Sequence, residues 1–541
     1  MRIRLKTLLL LVTPLLLLVA TAYLQWGIVG LPVLPPVPGS APAAAMEPYG
    51  FPAWLRITHY VNLLFLILLI RSGVQILMDH PRLYWNVHCT PGTEWLRLTP
   101  VTVPTDRVWT SKDDSRHLTP WIGLPGGRHT VGMARHWHFL SVLFWVGNGV
   151  VFVLLLFATD QWKRLVPNSW QIIPDAWSVF VHYATFHLPP EPNGFYHYNA
   201  LQQLTYFGVV FVLVPLAMLT GLSMSPAFTA RFMWYPRLPG NRQVSRSIHF
   251  LIMCAFVVFI IGHVSMVVLT GFARNMNHIV MGTDNTNPIG LYLGLAGGGV
   301  VVLLNVVANW VAWRHPRAVQ HAAKAIVSPV MGFLLDRPAP VAEFGREDIS
   351  PFFWVNGKIP TCDEWKTLAV GDFKGYRLKV HGQVENPVEL SLDELRALGQ
   401  KTQITLHHCI QGWSGIAEWG GLPLAALMEL VRPGPHAKAV VFYSFGEGVV
   451  FSTGVAGGQY YDSLSIENAR NPQTLLAYEM NDVPLTHLHG APLRLRVENQ
   501  LGFKMVKWIQ AIEFVEGVES IYQGEGGYAE DHEYFGELAN I

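Results

Sequence analysis

Six stretches of this chain are long and apolar enough to cross a bilayer, at about residues 8–28, 55–77, 137–158, 203–224, 249–271 and 289–313. The fifth, RSIHFLIMCAFVVFIIGHVSMVVLTG, carries two histidines, His249 and His263, fourteen residues apart. Fourteen residues is close to four helical turns, so both rings leave one face, roughly 21 Å apart along the axis. That separation serves two sites near opposite sides of a ~30 Å hydrocarbon core. Ionisable side chains are costly in a membrane helix, which makes function their default reading. Imidazole is a common axial ligand of haem iron. Two other stretches each offer a partner, His59 and His138. Four histidines suffice for two bis-histidine b haems.

The loops set the orientation. Lys and Arg number three before the first span, seven in 79–135 and four in 225–247, against none in 29–54, two in 159–202 and one in 272–288. The positive-inside rule puts the N-terminus, the loops 79–135 and 225–247, and everything after the sixth span in the cytoplasm. His59 and His263 then lie near the outer ends of their helices, and His138 and His249 near the inner ends. The pairs His59–His263 and His138–His249 match in depth. His136, two residues from His138 on a different face, is its competitor. The histidines of 182–197 fall in an outer loop and are expected to face water.

At 541 residues, with a mean hydropathy of +0.28, the chain is too long for one domain and not purely soluble. Residues 1–344 hold 23 Lys/Arg against 12 Asp/Glu, and residues 345–541 hold 15 against 25. A basic membrane half is joined to an acidic soluble half. The basic half has no patch of Lys and Arg interleaved with aromatics, which argues against nucleic acid. The four cysteines, Cys89, Cys254, Cys362 and Cys409, form no CxxC and no CxxCH. That spacing speaks against a cysteine-ligated cluster, covalent haem or a disulfide scaffold. The first apolar run is long for a signal peptide, which favours an uncleaved anchor, although APAAA at 41–45 leaves cleavage open.

The segments RITHYVNLLFLILLIRSG, DHPRLYW, ARHWHFLSVLFWVGNG, YNALQQLTYFGVVFVLVPLAMLTGLSMSP and RSIHF…GHVSMVVLTG carry a family resemblance. Over roughly 54–272 the chain resembles the di-haem cytochrome b subunits of formate dehydrogenase and nickel–iron hydrogenase complexes. In that family the two histidines of the late helix ligate different haems, with partners from the first and second family helices. Carried over, this implies the same two pairs, and electron exchange with a quinone. The extra N-terminal span and the enlarged loop 79–135, rich in Trp and Pro, depart from the family. Docking of the soluble domain is one role open to that loop, and a surface insertion is the other.

From about 345 the pattern turns to short β-rich runs between Gly/Pro turns, such as YRLKVHGQV, QITLHHCI, AVVFYSF and LRLRVEN, predicting an α+β domain. Cys409, in LHHCIQGWSGIAEWGGLPLAALM, is its chemical centre, because a thiolate suits a soft metal. That segment, with SLSIENARNPQTLLAYEMNDVPLTHLHGAPLRLRVENQLGFKMVKWIQAIEF, resembles the sulfite oxidase family in the form of bacterial protein-methionine-sulfoxide reductase catalytic subunits. The resemblance spans about 350–520 and implies that Cys409 ligates molybdenum held by molybdopterin. It implies that Arg494 and Lys507 meet the pterin phosphate and that His489 stands where those reductases have Asn. It further implies cofactor contacts from the backbone N–H groups of Met505 and Val506, and more loosely from Thr453. His407 and His408 point to opposite sides of a strand, so at most one, with His407 the candidate, lines a substrate pocket. The arginine-rich segment that follows the cysteine in true sulfite oxidases is replaced by IQGWSGIAEW, which weakens sulfite as a substrate.

The expected organisation is an anchor and Pro-rich linker over 1–50, a di-haem transmembrane bundle over 51–313, a linker or membrane-surface segment over 314–344 and a molybdopterin domain over 345–541. Joined, these read as a multi-pass protein of the bacterial inner membrane that exchanges electrons between quinones and a molybdenum centre through two b haems. The substrate would be a small oxidisable or reducible molecule in the cytoplasm, and a homo-oligomer is an open option. In the alternative reading the cytochrome serves a separate partner and the soluble domain only docks it. In another, residues 1–45 are removed and the soluble domain is periplasmic.

Overall fold

The structure, a computed structural model, describes residues 2–3, 5–35, 50–104, 109–116, 118–119, 121–123, 130–187, 194–225, 228–229, 232, 235, 240–335, 342–357, 359–446 and 460–521. Six helices have the length and apolarity to cross a membrane: α1 (Leu5–Val29), α2 (Ala53–Asp79), α3 (Thr130–Ala158), α4 (Ala200–Ser223), α5 (Arg242–Leu269) and α6 (Pro288–Arg314). Each covers one predicted stretch. At 1.5 Å per residue, α2, α5 and α6 run about 40 Å, longer than the ~30 Å hydrocarbon layer. Asn241 caps α5 by accepting from the N–H groups of Gln243 and Val244, and Asn287 caps α6 ahead of Pro288. Val258, Ile261, Leu303 and similar side chains stay exposed on the outside of the bundle, as lipid-facing positions do.

Helix α2 lies along α3, fastened by stacked Phe65 and Phe144 and by Trp145 Nε1 donating to Asn62 Oδ1 at 2.7 Å. The segment 314–344, expected as a linker or a membrane-surface segment, contains a further long helix, α7 (Pro316–Leu335). Its Val319 packs with Met133 of α3 and Ala312 of α6, so burial of an apolar stripe overrides the Pro and Ala that suggested a linker.

The loop after α2 is a built element. Arg82, fully buried, donates to Asp114 Oδ2 at 2.6 Å, to Glu94 Oε1 at 2.9 Å and to the Val101 carbonyl at 2.6 Å. Around this tie Tyr84, Cys89 and Trp109 pack directly on Trp354, Cys409, Ile410, Trp413 and Leu501 of the soluble half. Trp354 Nε1 donates to the Cys89 carbonyl at 2.7 Å, and Ser111 Oγ donates to Gln411 Oε1 at 2.6 Å. Of the two roles left open for this loop, the structure gives it docking.

The soluble half contains two sheets. In one the order is β8 (Val483–Pro484), β7 (Thr474–Met480), β4 (Ser414–Pro423), β3 (Lys401–His408), with β9 (Arg494–Val497) also paired to β7. In the other it is β2 (Val388–Leu390), β1 (Leu378–Gly382), β10 (Ile509–Val515), β5 (Ala439–Ser444), β6 (Tyr461–Ser465), with only β10 and β1 parallel. Leu378, Trp419, Leu422, Phe442, Leu476, Leu495, Ile512 and Phe514 from both sheets share one core. The turn between β3 and β4 carries Cys409, and that turn faces the membrane bundle.

Candidate functional site

In the bundle, the histidines meet in the expected pairs. The ring centroids of His59 and His263 are 6.4 Å apart, and those of His138 and His249 are also 6.4 Å apart. A metal bound to each of two facing imidazoles by bonds of ~2 Å spaces their centroids by ~6 Å, so both pairs fit an iron between them. Ser72 Oγ lies 2.9 Å from His138 Nδ1, and Thr220 Oγ1 lies 2.9 Å from His249 Nδ1. Each hydroxyl also sits 2.7 Å from the carbonyl four residues back, Leu68 or Leu216, where only it can be the donor. Its one proton is used there, so each ring must donate from Nδ1–H. That fixes the tautomer that leaves Nε2 as the ligand. Tyr206 OH stands 3.4 Å from His263 Nδ1. His136, the competitor, turns away with Nδ1 2.8 Å from the carbonyl of Gly132.

In the soluble half, Cys409 closes a tight turn, its N–H donating to the Trp413 carbonyl and its carbonyl accepting from Gly412. Gly412 has φ +106, and a Cβ there would meet the Arg246 guanidinium at 3.1 Å, so the position requires glycine. The thiol is 3% exposed, and burial pushes it up to about 12. Left to itself it stays protonated, whereas a bound metal cation displaces that proton. Asn356 Nδ2 and Gln411 Oε1 each lie 4.0 Å from its sulfur.

Asn356 also accepts, through its carbonyl, from Lys507 Nζ, which donates at 2.9 Å to Leu488 O as well. Arg494 lies over the Trp419 ring at 4.5 Å and donates to the His489 carbonyl at 2.9 Å. Gly490, at φ +111, lets both cationic side chains approach, since a Cβ there would sit 3.1 Å from Lys507 and 3.2 Å from Arg494. Burial, then mutual repulsion among Arg496, Arg494 and Lys507, pushes Arg494 and Lys507 well below their usual ranges. Burial and the same two cations hold His489 down at about 4.

The neighbouring cations are treated differently. Arg496 is clasped by Glu498 at 2.6 Å and Lys504 by Asp462 at 2.6 Å, whereas neither Arg494 nor Lys507 has a salt bridge among the described residues. Arg494 Nε and His489 Nε2 are buried without a hydrogen-bond partner among them. An anionic phosphate, as molybdopterin carries, would satisfy both atoms and both charges.

Residues 366–522 match the family model of the oxidoreductase molybdopterin binding domain, and residues 50–282 match that of prokaryotic cytochrome b561. The chain carries both domains. The molybdopterin half is similar to the protein-methionine-sulfoxide reductase catalytic subunit of Xanthomonas campestris, at 37% identity over 178 residues, 31% of this chain and 54% of that protein. It is likewise similar to the subunit of that name from Campylobacter jejuni, at 30% identity over 196 residues, 34% of this chain and 65% of that protein. The chain thus spans between half and two thirds of these relatives. A solved structure, the sulfane dehydrogenase SoxCD of Paracoccus pantotrophus, shares 22% identity over 27% of this chain and 40% of its own, with a TM-score of 0.23.

Three expectations for the molybdopterin half change. The Met505 N–H donates to Gly502 O at 3.2 Å and the Val506 N–H to Lys504 O at 3.1 Å, so both are spent in their own turn rather than offered to a cofactor. His407 is 5% exposed, accepts at Nδ1 from Arg496 at 3.1 Å and packs at a tilt against Trp413, which encloses it instead of opening it to a substrate. Burial and those arginines keep it neutral. His408 points the other way, as strand alternation requires, and its Nδ1 accepts from Arg242 of the cytochrome half at 3.3 Å. Thr453 lies outside the described residues.

The two halves meet at the cysteine turn. Gln243 Nε2 donates to Gly412 O at 2.9 Å and to Ser414 Oγ at 3.0 Å, and Arg135 Nη1 approaches Ile410 O at 3.5 Å. Arg135 stands one turn before His138, and Gln243 and Arg246 stand two turns and one turn before His249. Residue patterns alone gave no reason to single out Asn356, Gln411, Gln243, Ser72 or Thr220. The last two share one signal, a hydroxyl residue followed by Gly inside an apolar helix (Ser72–Gly73 and Thr220–Gly221).

Proposed function

We propose that this chain is a quinol-linked, membrane-bound molybdenum oxidoreductase in which two b haems and one molybdopterin sit on a single polypeptide. The observation that carries the reading is the seating of the Cys409 turn on the ends of the two helices that bear His138 and His249. One helical turn, ~5 Å of rise, separates Arg135 from His138 and Arg246 from His249, so the inner pair lies close beneath the cysteine. Bound molybdenum supplies two-electron oxygen-atom exchange and bound haem supplies one-electron relay.

The chain's own residues hold and insulate these groups. Cys409 offers the thiolate, and Arg494, Lys507 and His489 offer charge and hydrogen bonds to the phosphate. His59 with His263 and His138 with His249 offer axial nitrogens, and the apolar shell of Trp354, Trp413 and Trp109 keeps water from the junction. The relatives are named for methionine-sulfoxide reduction, and sulfoxides are therefore the first substrate class to try, with electrons running from quinol to the soluble half. The Lys/Arg distribution favours the bacterial cytoplasmic membrane with that half on the cytoplasmic side.

The test uses detergent-purified protein from a host that makes molybdopterin, wild type beside Cys409→Ser. Two haems b and one molybdenum per chain, and reduced haems that reoxidise on adding methionine sulfoxide only in wild type, would bear the reading out. Haem without molybdenum in the wild type would overturn it and leave the soluble half a docking module for a separate partner.

A further inference from the structure

The face of α5 that carries the two histidines continues to the inner end of the helix. Arg242, His249 and His263 fall at multiples of seven residues, so all three leave one side of α5, with Arg242 two turns and ~10 Å before His249. Arg242 Nη1 donates at 3.3 Å to Nδ1 of His408, the residue before Cys409. The guanidinium is half-buried, and its other N–H groups meet no acceptor among the described residues. Arg246, one turn on, is different. It is buried and donates to the carbonyls of His80 at 2.7 Å and Arg82 at 2.8 Å, so it fastens the loop after α2.

Burial raises the Cys409 thiol, and the Arg242 charge is among the influences that oppose the rise. The ten residues after Cys409, IQGWSGIAEW, contain no Lys or Arg. Lys507 reaches the surroundings of the sulfur through Asn356 and, with Arg494, is committed to phosphate in the reading above. The cation left for a reacting molecule therefore comes from the cytochrome half. A guanidinium withdrawn from water without a carboxylate calls for an anion. Its planar fork matches a carboxylate or an oxyanion through two parallel N–H···O bonds. Trp109, Trp354 and Trp413 cluster around Cys409, which favours a small molecule over a polypeptide.

We propose that the substrate site is shared between the halves, with Arg242 binding a negatively charged oxygen of a small substrate beside Cys409. The assignment rests on the molybdenum reading above. Because Arg242 is two turns from His249, the bound anion also offsets a positive charge close to the inner histidine pair. Loss of that charge favours the oxidised, more positive state of a haem held there, so occupancy lowers its midpoint potential. The inner pair thereby becomes the stronger electron donor when a substrate is in place.

The experiment titrates sulfate, as an anion probe, into detergent-purified holoprotein at an ionic strength held constant with chloride, and follows both haem midpoints by spectroelectrochemistry. Wild type is compared with Arg242→Gln and with Arg242→Lys, which keeps the charge without the fork. Haem and molybdenum content establish assembly, and Arg242→Lys carries the comparison if Arg242→Gln does not assemble. Sulfate is expected to lower one midpoint in wild type and leave the other in place. Arg242→Gln should raise the half-saturating sulfate concentration roughly tenfold or more, and Arg242→Lys by less. In turnover, Arg242→Gln should raise the KM for free methionine sulfoxide, which carries a carboxylate, and leave that for neutral dimethyl sulfoxide unchanged. An unchanged sulfate response in the variants, or none in wild type, would overturn the site while the sulfoxide reading stood. A midpoint lowered by Arg242→Gln itself, with no sulfate response in either protein, would assign Arg242 to a carboxylate of the haem and likewise overturn the site. Reduced wild-type haems that neither sulfoxide reoxidises would overturn the sulfoxide reading, and the sulfate titration would still decide the site.

Discussion

Replacing Arg494 with methionine should make the cofactor-free soluble half more stable and the loaded one harder to form. The Arg494 guanidinium is 4% exposed, stacks on Trp419, and makes one hydrogen bond, to the His489 carbonyl. Arg496 covers the same ring at 4.2 Å, so the two cations repel. An uncompensated buried charge costs several kcal/mol, against which the cation–π contact returns about 2 kcal/mol and the hydrogen bond about 1–2 kcal/mol. A flexible thioether of similar length keeps the packing on Trp419. The net expectation is ~1–2 kcal/mol of added stability without cofactor, or about 2–8 °C in melting temperature for a domain of this size. With cofactor the sign reverses, because a charge-assisted bond to phosphate worth about 1.5–3 kcal/mol is lost. That weakens retention roughly 10- to 150-fold. The assay is tryptophan-fluorescence melting of protein from a molybdopterin-deficient host, beside molybdenum content of protein from a competent one. A lower melting temperature together with unchanged molybdenum would refute the reasoning, since Arg494 would then be a structural cation.

Three further outcomes can be measured directly. Ser72→Ala or Thr220→Val should loosen the inner haem, with roughly 10–100-fold weaker retention and a shifted midpoint potential, while Ser72→Thr retains both and the outer haem is untouched. Lys504→Met removes the cation paired with the buried Asp462 carboxylate, both side chains being 0% exposed, and should cost about 3–5 kcal/mol in chemical denaturation. His489, ordinarily near 6.5 and held at about 4 in the fold, binds its proton more readily when unfolded. Cofactor-free protein should therefore lose at most ~3 kcal/mol as pH falls from 6.5 to 4, and His489→Asn should flatten that dependence.

The membrane half was legible because its rules are one-dimensional. Span length, loop charge and helical rise are read along the chain, and they sufficed to pair His59 with His263 and His138 with His249. Cys409, Arg494 and Lys507 were singled out through the motif around them, and Asn356, 4.0 Å from the Cys409 sulfur, accepts from Lys507. What escaped depends on distant segments coming together. Gln411 and Asn356 have no local signature, and become relevant only because the fold brings both to the sulfur of Cys409. Alternation in β3 correctly separated His407 from His408, yet could not say that Arg496 waits on one side and Arg242 on the other. The expected N–H donors Met505 and Val506 were lost to a turn that closes on itself. The helix Pro316–Leu335 forms because α3 and α6 offer it an apolar seat, a tertiary cause that its composition does not advertise.

The packing of Tyr84, Cys89 and Trp109 on Trp354 and Trp413 has a kinetic corollary. Under the proposed function, passage of electrons between the halves becomes a first-order event, with no encounter step to be limited by diffusion. Turnover per chain should then hold constant on dilution, and because the seam is buried, raising the ionic strength should leave it unmoved. A two-component system with a soluble catalytic partner would respond to both.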